Sequence, residues 1–242
     1  RDSRPTAESI VGLGANTENN LTSGTRFAGP EEATAYEVGL KASFERGSLN
    51  VAIFDQSIKG FQSNVFLGTG FNLVNAGEQS TQGLEFDLAY YPVDALRLTL
   101  AGTLLDPEYD EFEGAAVPPG SALDANDGIP DNSVGSLTGE TPAGIHEVSL
   151  SASATYSFTL SNGLDGYVRG DYQYEDEVQT NDNVPKSVAT EDLKNLNLSA
   201  GISTEAGLAF SVWGRNVTDH ESVTTAFPAV GNTGGYFGYR NQ

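Results

Sequence analysis

Residues 75–112 read NAGEQSTQGLEFDLAYYPVDALRLTLAGTLLDPEYDEF. Within this stretch Gln82, Leu84, Phe86, Leu88 and Tyr90 alternate with Gly83, Glu85, Asp87 and Ala89. After Pro92–Asp94 the alternation resumes: Leu96, Leu98, Leu100, Gly102 and Leu104 stand against Arg97, Thr99, Ala101 and Thr103. Successive side chains of a strand point to opposite faces, so each run predicts a strand with one apolar and one polar face. Pro and Asp at the break suit a tight reversal. The segment is a hairpin, and it sets the pattern for the rest of the chain.

The same period extends in both directions. Towards the N-terminus, Tyr36, Val38, Leu40, Ala42 and Phe44 precede an Arg46-Gly47 turn, and Leu49, Val51 and Ile53 follow it. Phe54 and Ile58 then sit on the opposite parity, which predicts a bulge. Towards the C-terminus come four more runs: Val148–Phe158, Leu164–Tyr174, Leu196–Ile202 and Leu208–Gly214. The total is eight strands. Their charges fall on the polar parity, at Glu37, Lys41, Glu85, Asp87, Arg97, Glu147, Asp165, Arg169, Asp171 and Arg215. Connections alternate in length. Arg46-Gly47, Pro92–Asp94, Ser161–Gly163 and Thr204–Gly207 are short, whereas 62–76, 106–144 and 176–189 are long. An up-and-down antiparallel sheet puts the short turns at one end and the long loops at the other. Residues 1–32 are polar and predict a loop, 33–219 the strands, and 220–242 a last loop.

Composition narrows the function. The 242 residues carry 12 Lys+Arg against 33 Asp+Glu, a formal net charge of −21. Such a surface repels phosphate, so nucleic acid is excluded as a partner. Without Cys there is no disulfide scaffold, thiolate nucleophile or Cys-ligated zinc, and 2 His cannot build a His-rich metal centre. No apolar run approaches the ~20 residues of a membrane helix. Arg1–Ile10 is polar and does not read as a signal peptide, and the lack of Met suggests a fragment or processed chain.

Alternation does not say which face is wet. A soluble sheet buries its apolar face in a core. A membrane barrel turns that face to lipid and lines its lumen with the polar one. The strand length, the aromatic residues beside the short turns (Phe44, Tyr90, Tyr91, Tyr156, Phe158) and the alternation of turn lengths favour the barrel.

Three segments carry a family resemblance. Tyr36–Gln62, YEVGLKASFERGSLNVAIFDQSIKGFQ, and the quoted Asn75–Phe112 resemble blocks in the barrel of TonB-dependent outer-membrane receptors. Gly214–Asp219, GRNVTD, is similar to that family's penultimate-strand element. The resemblance implies an all-β, antiparallel up-and-down transmembrane β-barrel of 22 strands with a plugged lumen, of which this chain supplies about eight. It further implies that the plug, the TonB-engaging segment and the final strand lie outside this sequence. The implied setting is the bacterial outer membrane, with lipid, the TonB complex and a small-molecule or glycan ligand as partners. The implied role is import of a scarce ligand: a siderophore, a corrinoid or an oligosaccharide. Two alternatives stay open, a passive porin or adhesin barrel and a soluble secreted acidic β protein binding calcium or glycan.

Candidate site residues follow from the pattern. Glu85, Arg97, Arg169, Asp171 and Arg215 on the polar parity can meet a passing ligand, or can pair with each other across strands. Tyr109 and Phe112 can stack on a ligand or pack the loops, as can Phe227, Tyr236, Phe237 and Tyr239. Trp213 is either a lumen contact or a rim anchor. Loop 106–144 holds nine acids and no Lys or Arg. Within it DANDGIPD offers Asp124, Asn126, Asp127 and Asp131 as oxygen ligands for Ca²⁺, or is simply a turn-rich loop. His146 and His220 read as surface residues. No nucleophile motif or metal triad is visible, so the sequence does not read as an enzyme.

Overall fold

A computed structural model describes residues 29–67, 70–125, 134–161, 163–229 and 235–241. Its strands in chain order are β1 (Glu32–Phe44), β2 (Gly47–Lys59), β3 (Gln62–Leu67), β4 (Gly70–Asn75), β5 (Glu78–Val93), β6 (Leu96–Glu111) and β7 (Glu113–Ala116). They continue as β8 (Val134–Ser136), β9 (Val148–Thr159), β10 (Asp165–Gln179), β11 (Thr190–Ser203), β12 (Ala209–Gly214), β13 (Ser222–Pro228) and β14 (Tyr236–Asn241). Eight of them form one sheet in the order β1-β2-β5-β6-β9-β10-β11-β12. Every neighbouring pair is antiparallel. Among the described residues no helix is long and apolar enough to cross a membrane.

The register lines up the predicted faces. One apolar row runs Leu40, Val51, Phe86, Gly102, Leu150, Tyr174 across six strands. The next runs Ala42, Leu49, Leu88, Leu100, Ala152, Tyr172, Leu196. Leu84, Leu98, Val148 and Val168 fall on the same face. The polar rows lie between, such as Lys41, Asn50, Asp87, Ala101, Ser151, Gln173, Asn195.

Among the described residues, no second layer covers the apolar face. Leu100, mid-sheet, remains 38% exposed, and Val38 and Val212 towards the edges 79% and 74%. The buried apolar residues are instead Ala76, Tyr109, Phe112, Ala115, Val117, Leu137, Val178, Val184, Ala189 and Ala226, all at the long-loop end. A water-facing sheet would hide such a stripe, because exposing it forfeits ~25 cal/mol per Å². Turned to lipid, the stripe needs no cover. β5 and β6 have 16 residues each, so at ~3.3 Å per residue they exceed the ~30 Å of hydrocarbon even when tilted. Their loop-side ends stand clear of the apolar band.

At the other end the reversals are tight. Arg46 Nη1 donates to Tyr91 O at 3.2 Å and pairs with Asp94 at 3.2 Å, stapling two neighbouring turns together. Aromatic residues ring this end, with Phe44–Tyr90 centroids 6.3 Å apart and Tyr156–Phe158 6.2 Å. The Phe44 ring lies over Gly47, where a Cβ would come within 2.8 Å of it and 2.2 Å of Ala89 O.

The structure corrects the sequence reading in two places. The bulge expected near Phe54 does not form, since β2 pairs in continuous register with both β1 and β5. Phe54 sits on the polar face instead, its ring filling the space over Gly83, where a Cβ would meet Cζ at 2.3 Å. The long connections are also partly strand. β3–β4, β7–β8 and β13–β14 form two-stranded hairpins, the last within the expected loop 220–242. Of the expected loop 1–32, residues 1–28 lie outside the described residues.

Candidate ligand-facing surfaces

Two surfaces hold the candidate site residues: the polar face of the sheet and the body formed by the long loops. On the polar face, one row runs Arg97, Thr155, Arg169, Ser199, Trp213. Arg169 Nε donates to Asp171 Oδ2 at 2.7 Å, and its second nitrogen binds Oδ1 in a forked pair. These two residues therefore satisfy each other along one strand, β10, rather than across neighbouring strands. Arg215 lies over the Trp213 ring at 5.0 Å, and Trp213 itself is 68% exposed on this face. Asn50 donates to Asp87. Glu85 stands between Ala52 and Thr103 in the register, and no described cation bridges to it. Glu85 and Arg97, like Glu37 and Lys41 on the same face, have no described ion-pair partner.

The loop end is ordered by its own core. Phe61, Tyr109 and Phe112 pack ring on ring, with centroids 5.5, 5.3 and 5.0 Å apart. Ala76, Ala115, Val117 and Leu137 close around them. Tyr109 and Phe112, candidates for stacking on a ligand, are buried here and hold the loops together. Aromatic rings lose water most fully against each other, and this cluster takes that route. A second cluster joins Val184 and Ala189 to Ala226, Val223 and Tyr236.

One carboxylate ties the first cluster to the loop that carries Val184. Tyr109 Oη donates to Asp182 Oδ2 at 2.9 Å, and Ala143 N–H donates to Oδ1 at 3.0 Å. Burial pushes the Asp182 carboxyl above its ordinary range, against the opposing pull of those two donors. The Tyr109 hydroxyl is pushed well above the usual tyrosine range by burial and by the Asp182 charge. A carboxyl with a raised folded value gives stability that is fully present below its ordinary range and is lost as pH rises through the raised value. Asp182→Asn keeps the acceptor for Ala143 and cannot ionise. We expect hydrogen-exchange protection of residues 176–189 to fall as pH rises above the ordinary carboxylate range of about 4 in the native protein and to stay level in Asp182→Asn.

The histidines also tie loops. His146 Nδ1 lies 2.6 Å from Asp176 O and Nε2 3.5 Å from Glu175, with the side chain only 13% exposed. His220 Nε2 lies 3.3 Å from Asp192. Neither is the free surface residue expected. Sequence reasoning missed Asp182 as well, whose setting Asn181-Asp182-Asn183 reads as a plain turn. Of the calcium candidates, Asp124 accepts Gly120 N–H at 2.9 Å, a local turn bond, while Asn126, Asp127 and Asp131 lie outside the described residues. Among the described residues no cluster of three or more acids or histidines is shaped for a metal.

Comparison with known proteins fits this architecture. The family model described as TonB dependent receptor-like, beta-barrel matches residues 3–217. No curated protein matches the chain by sequence. Among solved structures, the ferric yersiniabactin uptake receptor of Yersinia pestis superposes with a TM-score of 0.63 at 14% identity, over 87% of this chain and 28% of that one. The ferric-catecholate import receptor of E. coli K12 gives 0.57 at 14% identity, over 88% and 26%. The ferric preacinetobactin receptor of Acinetobacter baumannii gives 0.55 at 17%, over 80% and 26%. At these identities the likeness shows the fold, and the chain spans 26–28% of those receptors' length. With its lipid-type face, polar wall and ordered loop end, this chain belongs to the β-barrel family of TonB-dependent receptors, proteins of the Gram-negative outer membrane.

Proposed function

We propose that this chain is the wall and mouth of a TonB-dependent outer-membrane transporter that captures a scarce ligand outside the cell and admits it past a polar lumen. The observation that carries the reading is the asymmetry of the two ends. The short turns leave little surface to bind anything. The long connections build a folded body from hairpins, a ring cluster and the Asp182 link. Ordering loops to this degree costs conformational entropy, about 1–2 kcal/mol per residue for the backbone alone, and a passive turn region has no use for it. A ferric siderophore is the ligand class we favour, because the three solved receptors above are named for ferric ligands.

The test is iron-limited growth of cells carrying only this receptor, on a panel of ferric siderophores, with TonB present or deleted. Growth on at least one panel member that requires both receptor and TonB is expected. TonB-independent leakage of small solutes would mean a passive pore instead.

The mouth carries a charge prediction of its own. Glu108, Glu111 and Glu140 are exposed acids of the 106–144 loop that take no part in its core. A negative mouth concentrates cations and repels anions, with screening over ~8 Å at physiological salt. Replacing all three with Gln should slow association of a cationic ligand several-fold at low salt, and by stopped-flow the difference should vanish near 1 M salt. Equal rates at low salt would make these acids a solvated surface only.

A further inference from the structure

His146 stands where the long 106–144 connection enters β9, and both of its ring nitrogens meet hydrogen-bond acceptors. Nδ1 lies 2.6 Å from Asp176 O. A carbonyl oxygen only accepts, so this nitrogen carries a proton and donates. A neutral imidazole then has a lone pair at Nε2. Nε2 lies 3.5 Å from Glu175 Oε2, a second acceptor. The Asp176 carboxylate adds to the same field, with Oδ1 3.8 Å from Nδ1. That oxygen also accepts Val148 N–H at 3.0 Å, which fixes the carboxylate in place. With the side chain 13% exposed, little water screens the ring from these oxygens. Only the charged ring, a donor at both nitrogens, matches both partners.

The surrounding charges favour that form. No described Lys or Arg pairs with Glu175 or Asp176. The segment that carries His146 adds Glu140 and Glu147, and through Ala143 N–H it meets the Asp182 carboxyl at 3.0 Å. β11, which pairs with this end of β10, brings Glu191, Asp192 and Lys194. Lys194 is held on Asp192 at 2.8 Å, as is His220 at 3.3 Å. Acids outnumber cations among these groups, and the cations are already bound. The Tyr109–Asp182 tie on the same segment has the same sign. Burial raises the Asp182 carboxyl, so that tie also weakens as pH rises.

We propose that His146 is a proton-dependent latch, which fastens the end of the 106–144 connection to β10 when its ring is charged and loosens when the ring is neutral. This concerns the loop body itself and stands apart from the transport reading. The Val148 amide, bonded to Asp176, is the reporter. Hydrogen exchange is measured on the intact purified receptor at about pH 5 and about pH 8, on either side of the ordinary imidazole value of ~6.5, and normalised to unprotected rates. Protection over 145–148 should fall about fivefold at the higher pH. His146→Gln keeps a donor for Asp176 O and cannot take up a proton, so there the fall should vanish. Glu175→Gln, at a half-exposed position, offers a donor to the neutral Nε2 and should restore protection at about pH 8. It serves as the second variant where His146→Gln perturbs the fold. Asp182→Asn removes the other titrating tie and should leave the fall over 145–148 in place. Level protection in the native protein overturns the proposal, as does a fall that persists in both the His146→Gln and Glu175→Gln variants. A fall that disappears in Asp182→Asn overturns it too, because the effect would then belong to the Tyr109–Asp182 bond.

Discussion

Leu100→Arg in the intact receptor is expected to lose ~2–4 kcal/mol of membrane-folded stability, the cost of a cation on the lipid face near the bilayer midplane. Leu100 sits mid-sheet between Leu88 and Ala152, with no described side chain layered over it. Leu98 is a weaker choice, because it pairs with Tyr90 in the ring of aromatics near the short turns, where the cost falls towards ~0–1 kcal/mol. The control is the next residue. Ala101 points to the polar face beside Asp87 and Ser151, so Ala101→Arg gains a carboxylate neighbour and should cost under ~1 kcal/mol. Urea unfolding in phospholipid vesicles measures both. Equal losses at 100 and 101 would mean that the apolar face does not meet lipid.

That contrast between adjacent residues was legible in the sequence. Side-chain direction in a strand depends only on parity, and an uncovered wall keeps its pattern over eight strands without interruption by a core. Where a residue broke parity, the sequence misled. Phe54 reads as a bulge because periodicity cannot distinguish a shifted backbone from an apolar ring seated over a glycine. Gly83, on the partner strand, holds the missing information, and only the register brings the two together. The loop hairpins escaped notice for a different reason. β3, β7 and β8 have 6, 4 and 3 residues, too few for a period to show, and packing rather than alternation forms them. Loop aromatics were ambiguous for the same cause. Tyr109 and Phe112 turned inward and Phe237 and Tyr239 outward, and nothing in their neighbours' identities separates the two fates. Asp182 is the sharpest omission. One acid among many in an acidic chain becomes structural only because the fold delivers Tyr109 and Ala143 to its two oxygens.

Phe112→Ala should show that the loop body is a separate cooperative unit. Phe112 is 2% exposed, and truncating a ring so buried costs ~3–5 kcal/mol. Its backbone O accepts Leu137 N–H at 2.9 Å, and its N–H donates to Thr138 Oγ1 at 3.0 Å, so the ring and both polar groups fasten the same pair of segments. The loss falls on the loops, because the strand rows between Leu84 and Leu104 pair with each other and share no side-chain contact with the ring cluster. Local opening of this kind appears in hydrogen exchange well before global unfolding. Protection should drop across 106–144 and, through the Tyr109–Asp182 bond, across 176–189. It should persist in β5 and β6 between residues 84 and 104. The Tyr109→Phe variant separates the two routes: it keeps the rings and removes the bond to Asp182, so protection should fall in 176–189 and hold in 106–144. Loss spread evenly into the strands would mean that wall and loops fold as one. In that case the mouth would move only when the barrel does, and ligand capture would need another source of motion.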